Sequence, residues 1–358
     1  MGKITDRREK TAHINIENKA VLADGTKPKG EFPYKKLIVA VLIIIAIVAC
    51  VLLVMNAFVD SYADKFNTGV APNEAVATTK PTGELYDNLS DLMTNSNFRE
   101  AYLAAAANHA KNYANIKSDA DIYNYIVDIT APTDADSANV SVIMLLSLNN
   151  KTNKISYFAI NKASLVNIPT VGVGPIYDAF AFGGPALLAR TVQENFGVEI
   201  KGYVDMPLES FVQATLDVGG IVLDDQTLTE DEQKLDTAAK IYNYVQKSPD
   251  RNAAMTNVIK SLAVKSGEAG VIGLKNTVDT VSDALTASVQ REDFGELIKI
   301  LVEMFKNDSS VYQIGYDTAN IVAKNKYETW VENYIGFNTI NYDYEISKLV
   351  STIYPDAK

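Results

Sequence analysis

Between residues 139 and 223 short apolar runs alternate with polar turns and amphipathic stretches, and this pattern limits the possible folds more than any other part of the chain. Val142-Ile143-Met144-Leu145-Leu146-Ser147-Leu148 is a continuous apolar run, which predicts a strand buried on both faces. Asn149-Asn150-Lys151-Thr152-Asn153 is a polar turn, and Ile155-Ser156-Tyr157-Phe158-Ala159-Ile160 resumes with β-forming residues, so the two runs predict neighbouring strands. Residues 161–175 read as a loop. In Ala179-Phe180-Ala181-Phe182-Gly183-Gly184-Pro185 the glycine pair breaks the chain and Pro185 suits a first helical turn. Leu188, Val192 and Phe196 continue that helix until Gly197 stops it. Residues 198–201 lead into a strand at Tyr203-Val204. Leu208, Phe211, Val212, Thr215 and Leu216 mark one face of a further helix, which Gly219-Gly220 ends before the apolar run 221–223. Strands alternating with helices predict an α/β domain, an α+β layered sandwich.

Residues 37–59 contain no charged side chain. At about 1.5 Å per residue a helix of that length spans roughly 34 Å, enough to cross a bilayer. Lys and Arg cluster before the run, at Lys3, Arg7, Arg8, Lys10, Lys19, Lys27, Lys29, Lys35 and Lys36; after it the next are Lys65 and Lys80. Positive residues stay on the cytoplasmic side, so the expected localisation is the cell membrane, single-pass, with the N-terminus cytoplasmic and the C-terminal domain extracellular. Ile47-Val48-Ala49-Cys50 fits a loose lipoprotein cleavage pattern. Residues 51–55 stay apolar and the preceding tail is long for a signal, so a transmembrane helix is the better reading. Cys50 is the only cysteine, which excludes disulfides, thiolate metal sites and cysteine nucleophiles from the external part. A net charge of −11 argues against nucleic acid as a partner.

The chain divides on these grounds into a polar cytoplasmic tail (1–36), a transmembrane helix (37–59), a stalk holding Gly69, Pro72 and Pro81 (60–83), a helical preface (84–135), the main domain (136–310) and a C-terminal extension packed on it (311–358). In the preface Phe98, Tyr102, Ala105, His109 and Tyr113 are spaced for one helix face. Thr229-Glu230-Asp231-Glu232 is a capping box, predicted to open a helix through Leu235, Ala239, Tyr242 and Val245. The extension is rich in aromatics, among them Trp330, Tyr334, Phe337, Tyr342 and Tyr344. Generic catalytic motifs are absent: no P-loop, no G-x-G-x-x-G, no H-E-x-x-H. Gly172-Val173-Gly174-Pro175 reads as a turn, since Pro175 removes a donor that a phosphate would want. His109, on an apolar helix face, reads as a packing residue.

The order and wording of several segments resemble the LytR-CpsA-Psr family of bacterial cell-envelope proteins. The segments are Leu146-Ser147-Leu148-Asn149, Ala179-Phe180-Ala181-Phe182-Gly183-Gly184-Pro185, Thr191-Val192-Gln193-Glu194-Asn195, Tyr203-Val204, Phe211, Asp217-Val218-Gly219-Gly220-Ile221 and Asn257-Val258-Ile259-Lys260-Ser261-Leu262. The resemblance covers roughly residues 138–310 and implies a central sheet flanked by helices, preceded by one transmembrane helix. It also implies a phosphotransferase that moves a glycopolymer from a polyprenyl-pyrophosphate carrier onto peptidoglycan. Such a reaction needs cations for the pyrophosphate and carboxylates for a divalent metal, with an apolar slot for the prenyl tail.

Carried over residue by residue, the family's polar positions are mostly replaced. Its Arg-Ser-Asp before the first matched strand falls on Asn139-Val140-Ser141. Its Pro-Arg-Asp-Thr after the second falls on Asn161-Lys162-Ala163-Ser164, so a positive charge stays at Lys162 while the acid becomes Ala163. Its Lys-Ile-Asn becomes Pro175-Ile176-Tyr177. Its paired arginines fall on Gln246 and Ser248, and of its Arg-x-x-Arg-Gln only Arg251 survives, beside Ala254 and Met255. Lys162 and Arg251 are therefore the phosphate-binding candidates, weighed against an ordinary surface lysine and a helix N-terminal arginine. No catalytic residue and no metal ligand is assigned; Asp134, Asp136 and Asp178 read as solvated loop acids rather than a shifted metal site.

The expected function is a membrane-anchored extracytoplasmic protein of cell-envelope glycopolymer assembly that binds a polyprenyl-(pyro)phosphate lipid with a degraded transferase site. Its partners would be that lipid, a cell-wall polymer and the membrane. The alternatives are an active divergent phosphotransferase, which alone would need Mg2+, and a surface scaffold protein.

Overall fold

The computed structural model describes residues 57, 60–131, 139–152, 154–223, 227–248, 251–268, 275, 278–280, 282, 284–290, 293–295, 309–313 and 340–355. Its contacts divide the chain after Ala57, and the unit that follows holds the sheet and its helices. In chain order the elements are α1 (Glu84–Asp87), α2 (Leu89–Leu92), α3 (Ser96–Tyr113), β1 (Ile122–Ala131), β2 (Asn139–Asn149), β3 (Lys154–Ile160), β4 (Leu165–Ile168), β5 (Gly172–Pro175), α4 (Ile176–Phe196), β6 (Gly202–Pro207), α5 (Leu208–Asp217), β7 (Ile221–Val222), α6 (Glu230–Gln233), β8 (Lys234–Leu235), α7 (Ala238–Lys247), α8 (Arg251–Glu268), β9 (Thr286–Ser288), β10 (Ser309–Gln313) and α9 (Ser347–Ile353).

The main sheet is mixed, in the order β10-β3-β2-β1-β6-β9. β2 pairs antiparallel with both β1 and β3, β1 pairs parallel with β6, and β10 pairs parallel with β3. Successive side chains point to opposite faces, so a sheet covered on both sides must be apolar at both parities. Ile126, Ile143, Leu145, Phe158 and Ile160 form one cluster with Leu187, Leu188, Val192 and Phe196 of α4. The alternate residues Tyr125, Ile129, Val142, Met144 and Tyr157 are equally buried outside that cluster, and α8 packs against β2 and β3 through buried Ala254, Met255 and Val258. Each large side chain so enclosed contributes roughly 1.5–3 kcal/mol.

α4 is two helical pieces joined at a kink. Gly184 has φ +67 and ψ −165, a conformation that only glycine adopts readily, and Pro185 opens the second piece. The kink frees the Phe182 carbonyl, which accepts from the backbone N–H groups of Thr78 and Thr79 at 2.7 and 3.2 Å. Gly197 at φ +67 caps the far end.

Several expectations need correction. Residues 122–131, expected to lie in the helical preface 84–135, form β1 at the centre of the sheet. The run Ile-Tyr-Asn-Tyr-Ile-Val-Asp-Ile-Thr is rich in β-branched and aromatic residues, which fit a pleated buried surface better than a helix. Residues 60–83, expected as a stalk, lie against the domain. Tyr62, Ala63, Phe66 and Ala75 are buried there, and the N–H groups of Thr68 and Gly69 donate to the Ala287 carbonyl. The loop expected at 161–175 is largely the β4–β5 hairpin. The capping box at Thr229 is present, but its helix ends after Gln233; β8 follows, and Thr237 caps a separate α7. Thr229→Ala is expected to lose about 1 kcal/mol of stability in a denaturant titration, the usual worth of such a cap.

From the C-terminal extension, Ile340, Ile346, Leu349, Ile353 and Tyr354 join the α4-side cluster. The Tyr342 hydroxyl donates to the Leu165 carbonyl and the Tyr354 hydroxyl to that of Lys117. Trp330, Tyr334 and Phe337 lie outside the described residues. So does the apolar run 37–59, apart from Ala57; among the described residues no helix is long and apolar enough to cross a membrane.

Candidate functional site

β1, β6 and β3 end on the same edge of the sheet, where β2 begins. Asp128 of β1 stands opposite Ile143 of β2 and Asp205 of β6, and Ile143 stands opposite Ile160 of β3. The carboxyl ends of parallel strands are where open α/β sheets bind ligands. Just past this row the β1–β2 register slips: Ile129 faces Val142 and Thr130 faces Val140, so Ser141 bulges out of the ladder. Residues 139–141, at the start of β2, and 161–163, just past β3, where the resemblance locates the replaced polar positions, thus lie at this end of the sheet. The first turn of α4 closes the same edge, because the N–H groups of Ile176 and Tyr177 donate to the Ser164 and Lys162 carbonyls.

The centre of this edge is a carboxyl pair. Asp128 is fully buried, and its side chain is in hydrogen-bonding contact with that of Asp205. No hydrogen-bond donor among the described residues reaches either Asp128 side-chain oxygen. Two carboxylates are both acceptors, so the contact holds only when one carries a proton and donates it. Burial first, then the charge of Asp205, pushes the Asp128 carboxyl well above the usual carboxylate range. Burial also raises Asp205, against the hydrogen bonds it accepts from Asp128 and from the Thr130 hydroxyl at 3.2 Å. Both carboxyls are therefore raised, Asp128 by burial and by the Asp205 charge, which favours one proton held between the two. Beside them Tyr203 is pushed up to about 12 by burial, then by both carboxyl charges. The segment at Gly69 closes over it: a Cβ there would fall 2.0 Å from the Tyr203 hydroxyl oxygen.

Asp178, in the first turn of α4, is not the solvated loop acid expected. It is 5% exposed, accepts a 3.0 Å hydrogen bond from the Tyr86 hydroxyl, and burial pushes it up to about 6. Asp134 and Asp136 lie outside the described residues. Lys162 is exposed just past β3, and Arg251 opens α8 with its side chain outside what the structure describes. His109 bonds Glu194 at 2.7 Å between α3 and α4, remote in the fold from the acid pair, which fits a packing role.

Sequence reasoning missed Asp128 and Asp205. The first was hidden by the expected helical preface; the alternation of residues 122–130 was the available signal. The second sits one residue beyond the Tyr203-Val204 word that marked its strand.

This edge can do two things chemically. A proton-sharing carboxyl pair can deliver or accept a proton. Its orphaned oxygens also suit the first two ligands of a hard divalent cation, which would neutralise phosphoryl oxygens. Among the described residues no cluster of three or more His, Cys, Asp or Glu side chains forms a metal cage.

Residues 104–269 match the model of the LytR_cpsA_psr family. One 96-residue segment is 34% identical to the polyisoprenyl-teichoic acid–peptidoglycan teichoic acid transferase TagU of Oceanobacillus iheyensis, covering 25% of this chain and 30% of TagU. An 88-residue segment is 31% identical to the probable cell wall biosynthesis protein LcpB of Corynebacterium glutamicum, covering 25% of this chain and 21% of LcpB. The matches thus span less than a third of either relative. Among solved structures Bacillus subtilis TagV superposes with a TM-score of 0.52 at 14% identity, over 66% of this chain and 98% of TagV. TagT bound to LI-WTA superposes with a TM-score of 0.51 at 16% identity, over 67% and 93% of the two chains. At such identities the likeness establishes the fold, a mixed sheet flanked by helices.

Proposed function

The chain is a LytR-CpsA-Psr family protein, and from that premise we propose that it serves cell-envelope glycopolymer assembly as a membrane-anchored extracytoplasmic domain. It binds a polyprenyl-(pyro)phosphate lipid, and its transferase site is degraded. The observation that carries this reading is the acid pair without a cation. A pyrophosphate in transfer needs arginine or lysine on its oxygens. None of the ion pairs among the described residues involves Asp128 or Asp205, and both carboxyls are raised by burial rather than lowered by a positive neighbour. Lys162 and Arg251 are the two cations left to meet the lipid's phosphates. The apolar interface between the sheet and α4 would take the prenyl chain. The names of the relatives, a teichoic acid transferase and a cell wall biosynthesis protein, support this setting.

The full-length protein in detergent is expected to bind polyprenyl pyrophosphate and to transfer no glycan to peptidoglycan when Mg2+ is added. Lys162→Ala and Arg251→Ala should each weaken lipid binding roughly tenfold, the worth of one charge-assisted hydrogen bond. Mg2+-dependent transfer by the wild-type chain would overturn the degraded site.

A second reading, an active divergent phosphotransferase, is favoured by the orphaned Asp128 oxygens. Asp128 and Asp205 would then hold the cation and supply the acid role that Ser141 and Ala163 cannot. Transfer that disappears in Asp128→Asn, with lipid binding intact, would establish it.

A further inference from the structure

A cleft of about 580 Å³ lies between the β7–β8 ribbon and the C-terminal half of α8, away from the acid pair. α8 is two-sided. Ala254, Met255, Val258 and Leu262 are buried, while Asn257, Lys260, Ser261, Val264 and Lys265 recur at helical spacing along the cleft. Lys234 of β8 faces them from the ribbon. Three lysines and one acid, Glu268, therefore line one cavity of a chain whose net charge is −11.

Two of the three are already paired at the rim: Lys234 with Asp236 at 3.2 Å and Lys265 with Glu268 at 3.7 Å. Lys260, half-exposed between them, has no ion pair among the described residues. The Asn257 amide and the Ser261 hydroxyl add neutral hydrogen-bonding groups. Val222 and Val264, 66% and 46% exposed, supply an apolar wall that no described residue covers fully. The volume falls within the roughly 300–1,000 Å³ typical of small-molecule sites.

From this arrangement we infer that the cleft binds a phosphate monoester. Lys260 meets the phosphate, Lys234 and Lys265 add their field, and the small organic part lies on Val222 and Val264. A phosphate monoester brings close to two negative charges at neutral pH and three acceptor oxygens, so it can engage several ammonium groups at once; a lone carboxylate brings one charge. Lysine binds phosphate as a point charge. The site is separate from the lipid site proposed above and does not depend on it. A soluble phosphate monoester and a phosphatidic acid headgroup share this chemistry.

The test uses the full-length chain and two probes, glycerol 3-phosphate followed by calorimetry and phosphatidic acid vesicles followed by sedimentation. Glycerol and phosphatidylcholine vesicles are the neutral comparators. Binding to either phosphate probe is expected to fall at least tenfold in Lys260→Glu and severalfold in Lys260→Met. It should be unchanged in Lys111→Glu, which alters net charge equally on exposed α3. Binding that also weakens with added salt agrees with the exposed ammonium groups. A preference for the soluble probe assigns a free phosphate monoester, and a preference for vesicles assigns a headgroup. The inference is overturned if neither phosphate probe binds better than its comparator. It is also overturned if Lys260→Met and Lys260→Glu, both folded by circular dichroism, bind as the wild type does, or if Lys111→Glu weakens binding equally.

Discussion

The Asp128→Asn protein is expected to be more stable than the wild type at pH 7.5 by about 2 kcal/mol, or roughly 4–8 °C in a domain of this size. The gain should shrink towards zero as the pH falls to about 4. The sign follows from the raised carboxyl. Burial and the charge of Asp205 hold Asp128 well above the value of 3.8 for a free side chain. In the window between those two values the folded chain keeps a proton that the unfolded chain has released. The associated stability is fully present below about pH 4 and is lost as pH rises through the folded value. Asparagine keeps a neutral donor to Asp205 at every pH, so its stability curve should be flatter. Asp205, also raised, leaves a residual slope of the same sign. Thermal melts of both proteins between pH 4 and 8 check this; parallel curves would show that Asp128 does not hold the extra proton. A fold that keeps a group it would be more stable without points to a functional origin for that group.

Glu194→Ala is expected to cost about 3 kcal/mol, the lower end of what breaking a buried ion pair costs. The Glu194 carboxylate is 4% exposed and accepts from Arg190 Nε at 2.7 Å through Oε1, while Oε2 bonds His109 Nε2 at 2.7 Å. Arg190 in turn donates from Nη1 to the Ala75 carbonyl at 2.7 Å. One side chain therefore ties α3, α4 and the segment before α1 together. Alanine would leave the guanidinium in place with its counter-charge gone, though its partial exposure softens the loss. Glu194→Gln, which keeps an acceptor, should cost about half as much. Urea titrations give the energies, and amide exchange should show Thr78 and Thr79 losing protection first, since Arg190 anchors their segment. A Glu194→Ala protein within 1 kcal/mol of wild type would mean that packing alone holds these elements.

The strands at 142–148 and 155–160, the break at Gly183-Gly184, the stop at Gly197 and the helix over 208–217 were all legible along the chain. Each rests on a local cause: a two-residue or 3.6-residue apolar period, or a backbone conformation that glycine accepts and other residues resist. The capping box at Thr229 was legible for the same reason. The length of its helix was not, because Lys234-Leu235 gains more by pairing with Ile221-Val222 than by one further helical turn. β1 was missed because its neighbours 84–113 are helical and its partner β6 lies 77 residues downstream, as in Asp128 opposite Asp205.

The candidate site shows the same division. Lys162 and Arg251 were found from the resemblance, and Asp178 was seen but misjudged, since nothing next to it in sequence announces Tyr86 or the closing of α4. Asp128 and Asp205 carry no local mark of their pairing, though the strands that hold them do. The chain by itself determined the class of fold, the apolar run 37–59 with its flanking charges, and the absence of a cysteine from residues 60–358, because composition and periodicity act within a few residues. Only the tertiary structure decided which acids are buried and which face each other. Burial and charge proximity depend on strand register, and the register that sets Asp128 against Asp205 exists only once β1 and β6 lie side by side.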